Sequence, residues 1–331
     1  MNKTPNILLR RLKNAMRIAA VVGAICAPVA TAQAADEINS SYRLTSTSIM
    51  AMDTDYAAKY DLKVNKIKSS TGIEANEALL TGAVDVAEVG ITPFVTLLSR
   101  TSDVVAIGVV SSGGGMYRTV VKNASPYQSM DDLKGKKIAI KLGSGNYSAF
   151  LIYIASRGWK ESDFQLVNTG DQEAIAALTA GSVDAVIYWE PIVSILISKG
   201  IARPIFSFKG IVENPVFLVT NRATIAKKPA ALQKYVATFM DGQSALSKDV
   251  AGSAAMITSA LNKAGQQIDG KAIELSIPSM AYDIALTDTA KSEAKENWAL
   301  LQKAGKLRGN EPDWSSAFDS QFIEAAQKLR K

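Results

Sequence analysis

The chain has 331 residues, of which 47% are hydrophobic and 21% charged. At roughly 150 residues per domain this length predicts two packed units, and the apolar content excludes a disordered chain or a small disulfide-stapled domain. Residues 1–34 hold five basic side chains and no acidic one, so the remaining 297 residues carry 32 basic and 31 acidic groups, which excludes a polybasic nucleic-acid-binding surface.

The first predicted element is an export signal over residues 1–34. A basic segment precedes an apolar run over residues 18–30, and Ala32-Gln33-Ala34 fits the small-residue rule for a cleavage site. A membrane anchor is the alternative, but this run is shorter than the ~20 apolar residues that span a bilayer. We therefore expect cleavage after Ala34 and export to the periplasm; the Arg10-Arg11 pair leaves the twin-arginine route open beside the favoured ordinary secretory route.

Residues 35–331 lack the side chains that most often carry chemistry. The only cysteine, Cys26, lies in the predicted signal, and the chain has no histidine. This excludes thiol nucleophiles, disulfides, most zinc sites and an ordinary serine triad. The glycine-rich run over residues 111–115 is not followed by Gly-Lys-Ser/Thr, so close approach of backbone explains it better than a nucleotide. We expect no metal and no cofactor.

Hydrophobic patterns along the chain predict strands and helices in alternation. Strands are predicted over residues 42–47, 104–110, 116–122, 137–142 and 216–220. Helices are predicted over residues 52–59, 147–157, 229–247, 291–304 and 315–329.

An internal repeat joins two of these regions. Residues 75–89 align without gaps on residues 174–188, at an offset of 99. Six identities carry the alignment, namely Ala75, Ala78, Leu79, Gly82, Val84 and Asp85, which recur as Ala174, Ala177, Leu178, Gly181, Val183 and Asp184. Each copy predicts a helix, a left-handed glycine cap and a short strand, with a strand and a polar loop before it. Such units build parallel sheets whose carboxyl edges bind ligands, so the repeat predicts two similar α/β lobes.

Three motifs carry a resemblance to a known family. They are the run over residues 131–145, the paired Leu-x-x-Gly-x-Val-Asp elements, and Tyr188-Trp189-Glu190-Pro191. In this order and spacing the chain resembles substrate-binding proteins of ABC importers, in the group that handles nitrate, aliphatic sulfonates and taurine.

The resemblance implies an α/β, two-lobed periplasmic-binding-protein fold of type II, each lobe a mixed, mostly parallel sheet flanked by helices. The first lobe would comprise residues 35–121 and 217–331, the second residues 122–216, with crossovers near residues 116–122 and 216–221. It also implies a monomer that closes around a small-molecule ligand and delivers it to an ABC permease in the inner membrane.

Carried over to this chain, the resemblance places the ligand in the loops at the strand ends. The expected ligand-binding residues are Ser46, Thr47, Ser48, Ser70, Thr71, Gly72, Thr92, Ser112, Gly113, Ser144, Gly145, Asn146, Tyr147, Trp189 and Glu190. Glu190 departs from taurine-type relatives, which have a neutral residue there. As a carboxylate only accepts hydrogen bonds, a contact from Glu190 would favour an ammonium or hydroxyl on the ligand.

Other interpretations of these residues remain open. A Gly-Ser-Gly-Asn turn before a helix is a ready anion site, but Ser144 or Asn146 can also simply cap that helix. Trp189 can be core filling, and Glu190 a solvated loop charge or the cap of the next helix. The alternatives for the whole protein are a periplasmic ligand sensor, or an enzyme on the same fold that uses carboxylates such as Glu88, Asp171 or Glu213.

Overall fold

The computed structural model of the chain describes residues 36–69 and 71–331. The predicted signal peptide and the predicted ligand residue Ser70 lie outside these described ranges. None of the helices described has the length and the apolar character needed to cross a membrane.

Ten strands form in the described residues, in two sheets of five. They are β1 (Asp36–Tyr42), β2 (Leu62–Lys68), β3 (Val86–Gly90), β4 (Val104–Ser111), β5 (Tyr117–Lys122), β6 (Lys137–Ile140), β7 (Gln165–Asn168), β8 (Ala185–Trp189), β9 (Ala202–Ser207) and β10 (Val216–Asn221).

The two sheets have the same topology. The first sheet has the order β2-β1-β3-β10-β4 and the second the order β7-β6-β8-β5-β9. In the first sheet β1 pairs in parallel with β2 and β3, and β10 is antiparallel to both of its neighbours. In the second sheet β6 pairs in parallel with β7 and β8, and β5 is antiparallel to both of its neighbours. The prediction of two α/β lobes with mixed, mostly parallel sheets is therefore confirmed.

Twelve α-helices surround these sheets in the described part of the chain. They are α1 (Ser46–Met52), α2 (Gly72–Leu80), α3 (Ile91–Leu98), α4 (Gly145–Ser156), α5 (Asp171–Ala180), α6 (Ile192–Ser198), α7 (Arg222–Lys227), α8 (Pro229–Lys248), α9 (Val250–Lys263), α10 (Gly270–Ser276), α11 (Asp288–Lys303) and α12 (Gln321–Leu329).

Burial on both faces explains why the strands read as continuous apolar runs. In β6, Ile138 and Ile140 pack with Phe150 of α4, whereas Ala139 between them packs with Leu178 of α5. Successive side chains of a strand point to opposite faces, so a strand covered by helices on both sides needs apolar residues at every position.

The two aspartates of the repeat occupy equivalent places in the two lobes. Asp85 precedes β3; its amide donates to the carbonyl of Asn39 and its carboxylate accepts from the amide of Asn39, both at 2.7 Å. Asp184 precedes β8 and makes the same two bonds with Lys137, at 2.8 and 2.9 Å. Each aspartate thus fastens the repeat's strand to its parallel neighbour, as the alignment predicts.

The predicted first strand and first helix are wrong in their bounds. The strand ends at Tyr42, whereas it was expected over residues 42–47, and the helix covers Ser46–Met52 rather than residues 52–59. Thr45 has extended backbone angles and its hydroxyl accepts a hydrogen bond at 3.2 Å from the amide of Ser48. The polar alternation that resembles a strand is therefore a helix cap. The helix expected over residues 315–329 begins only at Gln321.

Two crossovers connect the sheets, over residues 112–116 and 208–215. Strand β5 lies wholly in the second sheet, and residue 121, after which the lobe boundary is expected, falls inside this strand. The glycines there permit close approach, since a Cβ on Gly114 would lie 2.2 Å from the carbonyl oxygen of Phe208 and one on Gly115 2.5 Å from that of Ser279. The close-packing interpretation of this glycine run is confirmed.

Helices after the second crossover do not pack only on the first sheet. Tyr235 of α8 and Trp298 of α11 are buried in the core of the first lobe. Ala272 of α10, however, is buried against Val193 and Leu196 of α6 in the second lobe. The carboxyl-terminal part of the chain therefore contacts both lobes.

Candidate functional site

The candidate site lies where the carboxyl edges of the two sheets meet. Strands β1, β2 and β3 lead through short turns to α1, α2 and α3, and β6, β7 and β8 lead in the same way to α4, α5 and α6. In such sheets the turns after the strands gather on one edge. The hydroxyls of Thr92, in the first turn of α3, and Ser148, in the first turn of α4, share a hydrogen bond of 2.8 Å. The two edges therefore face each other, and the region between their turns is called the interlobe cleft.

The turn after β1 encloses a buried carboxylate. Thr47 donates its hydroxyl to Glu88 of β3 at 2.5 Å, and Ser48 donates to the other oxygen of the same carboxylate. Burial raises the pKa of Glu88, against the hydrogen bonds from Ser48 and Thr47 and the positive charge of Arg43. The expected ligand residues Ser46, Thr47 and Ser48 are all buried, and the last two direct their hydroxyls to Glu88.

The next two turns of the first lobe are occupied by structural contacts. Thr71 caps α2, its hydroxyl accepting a hydrogen bond at 3.2 Å from the amide of Glu74. A Cβ on Gly72 would lie 3.3 Å from the ring of Pro93. Thr92 is buried and donates to Asn297 of α11 at 3.3 Å in addition to its contact with Ser148. Thr92 thus lies at the contact between the lobes.

Residues 143–146 form the corresponding turn of the second lobe. Ser144 occupies the N-cap position of α4, but its side chain makes no capping hydrogen bond. Its hydroxyl donates to the carbonyl of Lys141 at 2.7 Å and to the side chain of Asn146, whose amide donates to the carbonyl of Ile187 at 2.7 Å. These side chains fix the turn itself. The capping interpretation of Ser144 and Asn146 is wrong at the level of the side chains.

Two aromatic residues expected in the ligand loops take different places. Tyr147 is buried in the core of the second lobe, and its hydroxyl donates to Glu161 at 2.8 Å. Trp189, at the end of β8, is half-buried with its ring centroid 4.4 Å from that of Tyr188. Tyr147 therefore belongs to the core, whereas Trp189 keeps an accessible part at the strand end.

Glu190 is buried and paired. Its carboxylate forms an ion pair with Arg118 of β5 and accepts a hydrogen bond at 3.1 Å from the amide of Ser194 in the first turn of α6. Arg118 also donates to the hydroxyl of Ser194 at 2.8 Å. Burial raises the pKa of Glu190, and Arg118 acts in the opposite direction. The solvated-loop interpretation is wrong, and the helix-cap interpretation agrees with the bond to Ser194.

The two crossovers contact each other and the segments next to them. Ser112 pairs through its backbone with Ala281, with N to O distances of 2.9 and 2.8 Å, and Gly113 has a φ of 105° and donates to the carbonyl of Glu213 at 2.5 Å. From the second crossover, the side-chain amide of Asn214 donates to the carbonyl of Gly145 at 3.1 Å. Ser112 and Gly113 are thus joined to neighbouring segments through their backbones.

Comparison with known proteins agrees with this architecture. The model of the NMT1-like family matches residues 41–261, about two thirds of the chain. The chain belongs to the NMT1-like family.

Two proteins with similar sequences are named as binding proteins. This NMT1-like chain is 27% identical over 179 residues to a protein of Escherichia coli (strain K12) named as an aliphatic sulfonates-binding protein, covering 54% of the chain and 56% of that protein. It is 26% identical over 148 residues to the taurine-binding periplasmic protein of the same organism, covering 45% of the chain and 46% of that protein. The chain thus spans about half the length of the curated relatives it matches.

The crystal structure of the periplasmic aliphatic sulphonate binding protein SsuA from Escherichia coli superposes with a TM-score of 0.75 at 20% identity, covering 85% of this chain and 91% of that chain. This likeness shows the fold, which is that of periplasmic binding proteins.

One residue at the carboxyl edge of the first sheet is missing from the sequence-based prediction of the site. Arg43 follows β1 directly, in the turn that Thr45 closes as a cap. Its side chain is half-buried, and its Nε is buried without a hydrogen-bond partner. In the sequence, Arg43 is a single basic residue before a run of hydroxyl residues. Because the first strand was predicted over residues 42–47, Arg43 was assigned to a strand and not to a turn at the sheet edge.

Several charged groups surround this cleft. Burial raises the pKa of Asp171, the first residue of α5, and the positive charges of Arg43 and Lys141 act against that rise. Burial also raises the pKa of Tyr117, again against Arg43. Groups of aspartate, glutamate, cysteine or histidine with the arrangement of a metal site are absent from the described ranges.

Proposed function

We propose that this protein is an exported solute-binding protein that captures a small oxyanion or zwitterion in the interlobe cleft and delivers it to an ABC importer. In this proposal it acts in the periplasm, as a monomer, after removal of residues 1–34. The names of the similar sulfonate- and taurine-binding proteins support this class of ligand. The absence of histidine, and of cysteine outside residues 1–34, supports binding rather than catalysis.

The observation that carries the proposal is the meeting of two equivalent sheet edges. Helices α2, α3, α4 and α5, of eight residues or more, begin at these edges, two from each lobe. Helix amino-termini carry partial positive charge and free amides, which favour a negatively charged group. The Thr92–Ser148 contact shows that the lobes approach at this place. A small anion bound there would be in contact with both lobes.

The proposed mechanism is closure of the lobes around the ligand. The lobes are joined by the crossovers over residues 112–116 and 208–215, and we propose the lobe boundaries in these segments. A ligand that contacts both lobes stabilises the closed form relative to the open form, and so shifts an existing equilibrium. The permease then distinguishes the loaded from the empty protein by its closed form. Of the expected ligand residues, Trp189 and the backbone of residues 143–146 remain the best placed for contact.

A binding screen tests the proposed function. The purified protein lacking residues 1–34 is heated with nitrate, taurine, ethanesulfonate and small carboxylates, each in excess. A ligand at about 100 times its Kd adds about 2.7 kcal/mol to the free energy of unfolding, which gives a clear rise in Tm. Isothermal titration calorimetry then measures the affinity. If none of these compounds raises the Tm, the proposed function is wrong.

Localisation is tested separately. We expect the native protein in the periplasmic fraction, and amino-terminal sequencing should begin at Ala35. A cytosolic protein that retains residues 1–34 would contradict the export part of the proposal.

A further inference from the structure

Arg43 differs from Arg118 and Arg203, the other half-buried arginines among the described residues, because its guanidinium has no hydrogen-bond acceptor there. It makes no hydrogen bond and no ion pair with any other residue in the described ranges. Arg118 of β5, in contrast, is paired with Glu190 and bonded to Ser194. A half-buried guanidinium usually has an acceptor, because burying a charge without a partner is costly.

The neighbouring carboxylates do not supply that partner. Glu88 is buried, and its two oxygens accept from the hydroxyls of Thr47 and Ser48 instead of from the guanidinium. Asp171 lies across the cleft at the start of α5 and forms no ion pair within the described residues. Arg43 thus retains donors that no described side chain uses, in a turn at the carboxyl edge of the first sheet.

The positive charge of Arg43 acts on titratable groups of both lobes. Its electrostatic effect reaches Glu88 in the first lobe, Asp171 in the second and Tyr117 after the first crossover. The turn that holds Arg43 is fixed by hydrogen bonds, because Thr45 caps α1 and the hydroxyls of Thr47 and Ser48 are bonded to Glu88.

We propose that Arg43 binds the anionic group of the ligand, and that the cleft is selective for small molecules carrying a sulfonate or a comparable oxyanion. This inference rests on the proposed function and names its specificity-determining residue. A guanidinium presents several N–H donors in one plane and matches an oxyanion through paired, charge-assisted hydrogen bonds. The ligand supplies the acceptor that the protein lacks.

The test compares binding of ethanesulfonate and taurine to the parent protein, Arg43→Gln and Arg43→Lys by calorimetry. Loss of a charge-assisted hydrogen bond predicts that Arg43→Gln binds the sulfonates about 10- to 100-fold more weakly. Arg43→Lys keeps the charge but not the planar fork, so we expect an intermediate loss. The matched control is Arg308→Gln, which removes one positive charge from an exposed position between α11 and α12 and should leave affinity unchanged.

Two further readouts separate ligand binding from a structural role. The ligand-free Tm of Arg43→Gln should stay close to that of the parent, because the guanidinium makes no hydrogen bond or ion pair within the described residues. The parent should bind ethanesulfonate much more tightly than ethyl methyl sulfone, a neutral molecule of similar shape. This second comparison needs no variant and holds even if Arg43→Gln does not fold.

The outcomes are distinguishable. If the parent binds a sulfonate and Arg43→Gln binds it equally tightly, the assignment of Arg43 is wrong and the proposed function stands. Equal binding of ethanesulfonate and the neutral sulfone also overturns the assignment. If the parent binds none of the oxyanions of the screen, the proposed function fails and the assignment with it.

Discussion

Glu88 and Glu190 are both buried acidic residues at the edge of the cleft, but they are stabilised in different ways. Glu88 accepts hydrogen bonds from two hydroxyls of its own lobe, whereas Glu190 has a full counter-charge in Arg118. Burial raises the pKa of both carboxyl groups. We therefore expect the stability of the protein to respond differently to pH and to substitution at these two residues.

Glu88→Gln should change the pH dependence of stability. Since the pKa of Glu88 is higher in the folded than in the unfolded protein, the folded protein binds more protons between these values, and stability falls as pH rises through that interval. Glutamine does not ionise, so the variant does not lose stability in this way as the pH rises. We expect the stability of the variant relative to the parent to increase as the pH rises above 4.5, the ordinary pKa of a glutamate, measured by chemical denaturation without ligand.

The exposed Glu324→Gln serves as the control for this measurement and should leave the pH profile of the parent unchanged. A parallel pH dependence of the parent and Glu88→Gln would show that Glu88 does not titrate in this way.

Arg118→Met should be strongly destabilising. It leaves the carboxylate of Glu190 buried without its counter-charge, at a cost of about 3–5 kcal/mol. The double variant Arg118→Met, Glu190→Gln removes both charges and should recover a large part of that loss. A double-mutant cycle by denaturant unfolding measures the coupling energy between Arg118 and Glu190. If the double variant loses as much free energy of unfolding as Arg118→Met alone, this explanation is wrong.

At the scale of elements, the same strand–turn–helix unit is built twice from matching local signals. Gly82 and Gly181 end the two helices of the repeat with φ values of 72° and 79°. Glycine reaches this left-handed region without the clash that a Cβ causes in other residues. The equivalence of the two glycines allows a matched comparison within one molecule.

Gly82→Ala and Gly181→Ala should each lower the free energy of unfolding by about 1 kcal/mol. A Cβ at Gly82 meets no atom within 4 Å, and one at Gly181 meets only the end of the Lys122 side chain at 3.1 Å. The cost is therefore one of backbone conformation. Gly82→Asn and Gly181→Asn should lose less, as asparagine tolerates this region better. Alanine variants as stable as the parent would contradict the backbone argument.

At the scale of the whole molecule, the two crossovers connect the lobes and are held by contacts with each other and with α11. Glu293 of α11 accepts hydrogen bonds from the amides of Glu213 and Asn214 in the second crossover, at 2.6 and 2.7 Å. Burial raises the pKa of Glu293, against these two bonds. The first crossover is packed so closely on the second that only glycine fits at residue 114.

Gly114→Ala should destabilise the protein by at least about 1–3 kcal/mol, the usual cost of overpacking. The added methyl group would lie 2.2 and 2.4 Å from the carbonyl oxygens of Phe208 and Val212, and backbone cannot move aside as a side chain can. Gly270→Ala is the control, because its Cβ meets Thr258 at an ordinary 3.5 Å at the start of α10. Thermal unfolding compares them, and equal Tm values would mean that the crossovers separate easily.

The sequence by itself determined the features that depend on short spacing. The repeat, its two glycine caps, and Asp85 and Asp184 before their strands follow from patterns of a few residues, which set helix caps, burial and strand starts. The two α/β lobes follow from the repeat and from the family resemblance.

Only the tertiary structure decided which groups meet across long separations in the chain. Strands β5 and β10 each insert antiparallel into their sheets, and the Thr92–Ser148 and Arg118–Glu190 contacts join residues 56 and 72 positions apart. No local pattern encodes such pairs, because each partner is specified by packing. For the same reason Arg43, which the sequence shows only as one cation among many, is recognised as unpaired within the described residues once its surroundings are known.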